Sequence, residues 1–410
     1  MLEQILANSQ TILVSLVAFL VMLPLIVFVH EQGHFQTARF FGVRIDAFAI
    51  GFGPTLKSWI DRHGTVWKIC AIPLGGYVKF FGDANAASAG ASTPDQNSGG
   101  ATQFGSERDK LEAFLTEEEK RVCFHFKPLW QRAAVVAAGP VANFILAVVI
   151  LALLFITFGR EVTPPILSTV SEDSAAAEAG FLPGDRILTM NGQPVTDFNR
   201  MGAVVKLSSG EELIFTVERG SEEVTLTATP RRTEQLDAFG NTIEAGLLGV
   251  GVNYSVVERV RFGPIGATGE AIGEVGRVIT MTARYFGRLL MLKEDPRQIG
   301  GPIRIAEYAG QAASSGFNPD ADISLLDRLT VSGTNFLQIA ALISISVGFL
   351  NLLPVPVLDG GHLVFYAYEA VAGKPINEAV QGAMFRVGLS LIMTLIVFVV
   401  INDVLRHVGP

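Results

Sequence analysis

From Ile5 to Val29 the chain carries no charged residue. A bilayer's hydrocarbon core needs about 20 apolar residues of helix to cross it. Backbone polar groups have no partner in hydrocarbon, so a run of this length crosses as a helix. Three further gaps between charges have similar length: Ala133 to Gly159, Leu329 to Leu358 and Val387 to Asn402. The last is short and is expected to begin near Gln381, whereas the third is over-long and must contain an entry or exit segment. A positive mean hydropathy of +0.41 with only 17% charged residues fits several spans plus a soluble part better than one globule. The amino terminus lacks the basic region and small-residue cleavage site of a removable signal, so the first run is expected to stay as a span.

The first span runs into VFVHEQGHFQTARF, residues 27 to 40. His30 and His34 are four apart, so on a helix both rings leave one face, close enough to share a tetrahedral zinc ion. Glu31 beside them has the chemistry of a base for a water attacking a carbonyl. Two helical histidines in ordinary polar contacts are the bland alternative. Ionisable groups at membrane depth are expensive and mark function more often than not, which favours the metal. A catalytic zinc takes three protein ligands and leaves a position open, so one ligand remains to be found. Asp359, in GFLNLLPVPVLDGGH, is the leading candidate, and His362 competes for the role. Apart from that motif, Asp359 would be taken for a cap carboxylate at a membrane border. His125, a lone histidine on an interfacial segment, is set aside. Pro354 and Pro356 cannot continue a regular helix and break it beside the proposed metal, where Asn351 is placed to hydrogen-bond a substrate backbone.

Between the first two spans, Arg39 to Arg132 contains twelve Lys and Arg, against none before the first span. By the positive-inside rule that segment is cytoplasmic, the amino terminus is outside, and His30, Glu31 and His34 lie near the cytoplasmic end. A net charge of −8 without basic tracts gives no reason to expect a nucleic-acid partner. Two cysteines, Cys70 and Cys123, make neither a disulfide framework nor a thiolate metal site.

The expected organisation is a first span over residues 1–40, then a small membrane-associated β-sheet over 41–82, where short β-branched and aromatic runs alternate with Gly and Pro. An edge of that sheet could pair with an extended substrate. A low-complexity cytoplasmic linker with a short charged helix fills 83–128, and the second span takes 129–160. A β-rich region with an extension covers 161–256. An amphipathic helix with its connecting segment covers 257–328, with apolar Ile272, Val275, Ile279, Tyr285, Phe286 and Leu289 opposite Arg277, Arg284 and Arg288. The third span occupies 329–362, and the fourth with its tail 363–410. Within the β-rich region, AEAGFLPGDRILTMNGQPVTD resembles a PDZ domain, which implies a carboxylate-binding loop at Gly180, Phe181 and Leu182.

HEQGH, GFGP, GGYVKFFGD, AGPVANF and NLLPVPVLDGGH, in that order along nearly the whole chain, resemble the site-2 protease family of zinc intramembrane proteases, most closely its bacterial branch. That resemblance implies Zn2+ held by His30, His34 and Asp359, Glu31 as general base, and Asn351, Pro354 and Pro356 shaping the substrate site. It implies a polytopic α-helical protein of the bacterial inner membrane, with its PDZ-like domain periplasmic. It also implies cleavage of a single-span, anti-sigma-factor-like substrate after a first cut, in envelope stress signalling. The best-known enterobacterial members are similar but carry two tandem PDZ domains, and here one is found. The alternative is a non-enzymatic PDZ scaffold or a metal carrier. A carrier is expected to place ionisable groups in several spans, and the uncharged runs of the second and fourth offer none.

Overall fold

The computed structural model describes residues 2–82, 114–236, 242–317 and 323–408. Most of the expected linker, 83–113, lies outside the described residues. Among the described residues four helices are long and apolar enough to cross a membrane: Ile12–Phe40, Leu129–Thr157, Leu325–Asn351 and Ala379–Leu405. They answer to the four uncharged gaps. The main difference is at the third, which stops at Asn351 and leaves Asp359 to open a separate helix, Asp359–Ala372. Pro354 and Pro356 lack the N–H that a continuing helix needs and disfavour helical conformation in the residues before them, so the helix stops short of Leu358.

The chain divides into two compact units, Met1–Ile150 with Gly300–Pro410, and Leu151–Ile299. In the first unit the span helices meet at small residues, which let backbones approach closely in a setting without a hydrophobic drive between helices. A Cβ on Gly33 would fall 2.2 Å from the Ala138 carbonyl oxygen, so the glycine of HEQGH brings the first two helices into contact. A Cβ on Gly348 would meet the Pro140 carbonyl at 3.1 Å and Asn143 Cβ at 3.3 Å, which does the same for the third and second. Ser344 Oγ, fully buried, donates to the Asn143 carbonyl at 2.9 Å. Helix Pro302–Ser314 packs its Ala309 with Ala18, Met22 and Ile26 of the first helix and Ala340 of the third.

Strands Ile45–Ile60 and Val66–Phe80 bend on themselves to form a small sheet with more strand segments than a simple hairpin. Residues 45–50 pair with 76–80 on one side and with 66–69 on the other, while 55–60 pair with 66–70. Gly51, at φ +84°, makes the bend possible, because a side chain there would meet the Ile72 carbonyl at 2.5 Å. Phe35 of the first helix lies edge-on to Phe48 at 5.3 Å and to Trp67 at 5.3 Å, so the sheet is seated on the turn that follows the HEQGH histidines. Arg39 donates to Asp61 at 2.6 Å and fastens the hairpin turn to the same helix.

In the second unit a four-stranded antiparallel sheet runs in the order Gln193–Pro194, Arg186–Met190, Leu213–Arg219, Glu222–Ala228. Leu213, Phe215 and Val217 alternate inward, as a half-buried strand requires, and join Phe181, Ile187, Met201 and Leu248 in one core. Helix Pro264–Leu290 departs from expectation. Its arginine face is engaged with protein: Arg284 and Arg288 both pair with Glu211, and Arg288 also donates to Glu294 at 2.7 Å. Ile272 is exposed instead, and the buried side is made by Ala267, Ala271 and Val275. Charge pairing has outweighed apolar pattern here, since Arg288 is only 5% exposed and must be partnered.

Candidate active site

The first span helix continues unbroken through His30, Glu31 and His34 to Phe40, so the two imidazoles share a face as their spacing demands. Their Nε2 atoms lie 3.2 Å apart. Asp359 approaches both, its Oδ2 at 3.2 Å from His30 Nε2 and 3.5 Å from His34 Nε2. Among the described residues this is the cluster of His, Cys, Asp and Glu with metal-binding spacing.

The donor set fits zinc. Zn–N and Zn–O bonds of about 2.0–2.1 Å on a tetrahedron put neighbouring donors about 3.3 Å apart, close to the three separations observed. Asp359 Oδ2 is buried and accepts no well-formed hydrogen bond, an expensive state for a carboxylate unless a cation completes it. His34 Nδ1 lies 2.9 Å from the Val135 carbonyl oxygen. Facing an acceptor, Nδ1 must carry the proton, which leaves the Nε2 lone pair directed at the cluster. Two imidazoles and one carboxylate are an ordinary catalytic zinc set with room for a fourth ligand.

The glycines of LDGGH explain how Asp359 reaches this point. Side chains on Gly360 and Gly361 would collide with the carbonyls of Leu352 and Leu353 and with Val355 and Pro356, at 2.3–2.6 Å. Only glycine lets the proline-containing loop fold over the start of helix Asp359–Ala372. The Asp359 carboxylate then sits in the first turn of that helix, where the exposed amides favour negative charge.

Glu31 is 7% exposed and belongs to the same pocket. Gly76 gives it room, since a Cβ there would come within 3.2 Å of Glu31 Cγ and 2.8 Å of the Ala49 carbonyl. The backbone of Val78 hydrogen-bonds the Glu31 carboxyl. Strand 76–80 therefore runs alongside the carboxylate. Among the described residues it is an outer strand, paired on one side with 45–50.

The remaining sequence candidates are distributed as follows. His362, three residues past Asp359, faces the Phe365 ring at 6.2 Å and is not part of the cluster. His125 lies on a short 3₁₀ turn against Phe124, also apart from it. Asn351 ends the third span helix, and Pro354 and Pro356 lie in the loop beyond it, Pro356 beside Gly388 of the fourth span helix. The loop Gly180–Phe181–Leu182 corrects its expectation. Its amides donate to Ala177 O, Ala176 O and Asp185 Oδ2, so none is left to hold a peptide carboxylate. The loop is a helix C-cap, with Gly180 in the left-handed conformation that such caps use.

Sequence reasoning missed the second span helix as a wall of the site. Val135, Gly139 and Asn143 recur every four residues and share a face. Gly139 leaves the space that His34 and His30 occupy, and Asn143 Nδ2 lies 3.3 Å from His30 Nδ1. The spacing was available as a signal.

Known proteins resemble this chain over most of its length. The profile of Peptidase family M50 matches residues 18–395. A protein of Rhizobium meliloti named "Putative zinc metalloprotease" is 44% identical over 388 residues, covering 94% of this chain and 95% of its own. One of the same name from Mesorhizobium japonicum is 42% identical, covering 95% of this chain and 98% of its own. Metalloprotease MmpA of Caulobacter vibrioides is 41% identical over 399 residues, 96% of each chain. With four membrane-length helices, a His-His-Asp cluster and these relatives, the chain belongs to peptidase family M50, the site-2 protease family of intramembrane zinc metalloproteases.

Proposed function

We propose that His30, His34 and Asp359 hold the zinc and that the protein cuts a peptide bond within the membrane-spanning segment of a single-span protein. The carrying observation is the convergence of His30 Nε2, His34 Nε2 and Asp359 Oδ2 at 3.2–3.5 Å beside the buried Glu31. Bound zinc supplies Lewis-acid polarisation of the scissile carbonyl and makes the attacking water more acidic. Glu31 takes the proton of that water and returns it to the departing amine. A helical substrate hides its carbonyls in its own hydrogen bonds, so it must unwind locally before it is cut. The outer edge of strand 76–80 offers the unwound segment backbone partners next to Glu31. Asn351, Pro354 and Pro356 shape the approach at the end of the third span helix.

The charge asymmetry around the first span supports a cytoplasmic-side site in a bacterial inner membrane, with the amino terminus and residues 161–256 periplasmic. The sequence resemblance supports a substrate of the anti-sigma-factor kind, cut after another protease has removed its outer part, as in envelope stress signalling. Residues 161–256 then act as a filter against untrimmed substrates, a role that needs no carboxylate-binding loop. Purified protein in proteoliposomes, given a single-span reporter with and without a folded outer domain, tests this. Cleavage of the trimmed form inside its apolar segment, found by mass spectrometry and stopped by a zinc chelator, is expected. Cutting confined to soluble loops, or equal cutting of both forms, would contradict it.

A further inference from the structure

Both ligand histidines are met from behind by the second span helix. Val135 offers a carbonyl to His34 Nδ1, and two turns along the same face Asn143 presents its carboxamide to His30 Nδ1 at 3.3 Å. Asn143 is fully buried, and its Oδ1 has no hydrogen-bond partner. The oxygen and nitrogen of a carboxamide fill nearly the same envelope, so the hydrogen-bond network decides which one faces the ring.

The two orientations have opposite consequences for His30. With Nδ2 toward the ring, Nδ1 must accept, and the imidazole proton is driven to Nε2. That atom lies 3.2 Å from both His34 Nε2 and Asp359 Oδ2, where a metal ligand needs a free lone pair. With Oδ1 toward the ring, Nδ1–H donates, the orphaned oxygen is satisfied, and the Nε2 lone pair points into the cluster.

We propose that Asn143 is a positioning residue for His30: its carboxamide oxygen accepts from Nδ1–H and holds the ring in the tautomer that binds metal. This rests on the ligand assignment above. The arrangement repeats for His30 what the Val135 carbonyl does for His34. Asn143 is itself braced by the third span helix, through the Ser344 hydroxyl on its carbonyl and the close approach of Gly348 to its Cβ.

Zinc affinity of the purified protein, measured by competition with a chromophoric chelator, separates an acceptor from a packing residue. Asn143→Leu, of similar size without an acceptor, is expected to lose zinc affinity about 10–100-fold. Asn143→Asp, which keeps an acceptor, should restore most of it. A packing role gives the opposite order, with leucine near wild type and a buried carboxylate the poorer of the two, and that order overturns the proposal. A measurement on the unaltered protein is independent of variant folding. In the zinc-loaded protein labelled with ring 15N, His30 Nδ1 should carry a proton shifted downfield by hydrogen bonding, and an unprotonated Nδ1 overturns the proposal. His30→Ala serves as the control for the ligand assignment. If it loses zinc while Asn143→Leu does not, the role of Asn143 fails alone; if it keeps zinc, the assignment of His30 fails.

Discussion

Gly139 lies directly against the ring of His34: a Cβ built on it would come within 2.3 Å of His34 Nε2 and 2.8 Å of His30 Cε1. No real side chain tolerates that approach, so Gly139→Ala must push the two imidazoles out of register. A fall in zinc affinity of at least about tenfold is expected. Circular dichroism and gel filtration should change little, since alanine suits a helix better than glycine. Wild-type zinc affinity in this variant would show that the rings can yield without losing the metal.

Asp359 and His362 are three residues apart, but only Asp359 reaches the cluster. Asp359→Ala should empty the site and abolish cleavage. His362→Ala should keep zinc and most activity, because His362 contributes a ring contact with Phe365. Metal content by mass spectrometry of the purified variants decides. The reverse ranking would move the third ligand to His362.

Arg219 grips Asp185 with two hydrogen bonds at 2.7 and 2.8 Å and, helped by the Leu182 amide, holds its carboxyl below the usual carboxylate range. A carboxyl depressed on folding stabilises fully above its unfolded value of about 4, and that contribution is lost as pH falls below it. Asp185→Asn should therefore destabilise the β-rich unit by about 2 kcal/mol at neutral pH. The gap between variant and wild type should close progressively below about pH 4. Thermal unfolding measured across that range checks it, and a gap independent of pH would assign the effect to packing.

Arg288 is buried between Glu211 and Glu294. Without Arg288, Glu294 keeps Arg232 at 3.3 Å, while Glu211 keeps Arg284, so the cost falls below the about 3–5 kcal/mol of a fully stranded buried charge. Arg288→Ala should accordingly expose Leu151–Ile299 to limited proteolysis at lower temperature while leaving zinc content unchanged. Loss of zinc with no change in proteolysis would contradict this.

How much of this was legible beforehand depended on how local the signal is. His30, Glu31 and His34 declare themselves through helical spacing, and the four spans through absent charge. Asp359 required topology as well as sequence, since 325 residues separate it from His34. Uncharged length over-reads the third helix, but Pro354 and Pro356 mark its break in the sequence, and the helix ends at Asn351, just before them. Gly180, Phe181 and Leu182 were misread for a different reason: a turn that caps a helix and one that holds a carboxylate use the same residues. It took the hydrogen bond from Leu182 to Asp185 to tell them apart. Val135 and Gly139 act through a carbonyl and through an absent side chain, neither of which a sequence displays as chemistry.

The most direct test of the account is Glu31→Gln, assayed for zinc content and cleavage on the same preparation. Glutamine keeps the size of Glu31 within the pocket beside Gly76 and leaves His30, His34 and Asp359 intact, but it cannot take a proton from water. The expected result is a full complement of zinc with cleavage of the reporter reduced about 10²–10⁴-fold or more. Cleavage near the wild-type rate would contradict the assignment of Glu31 as the base.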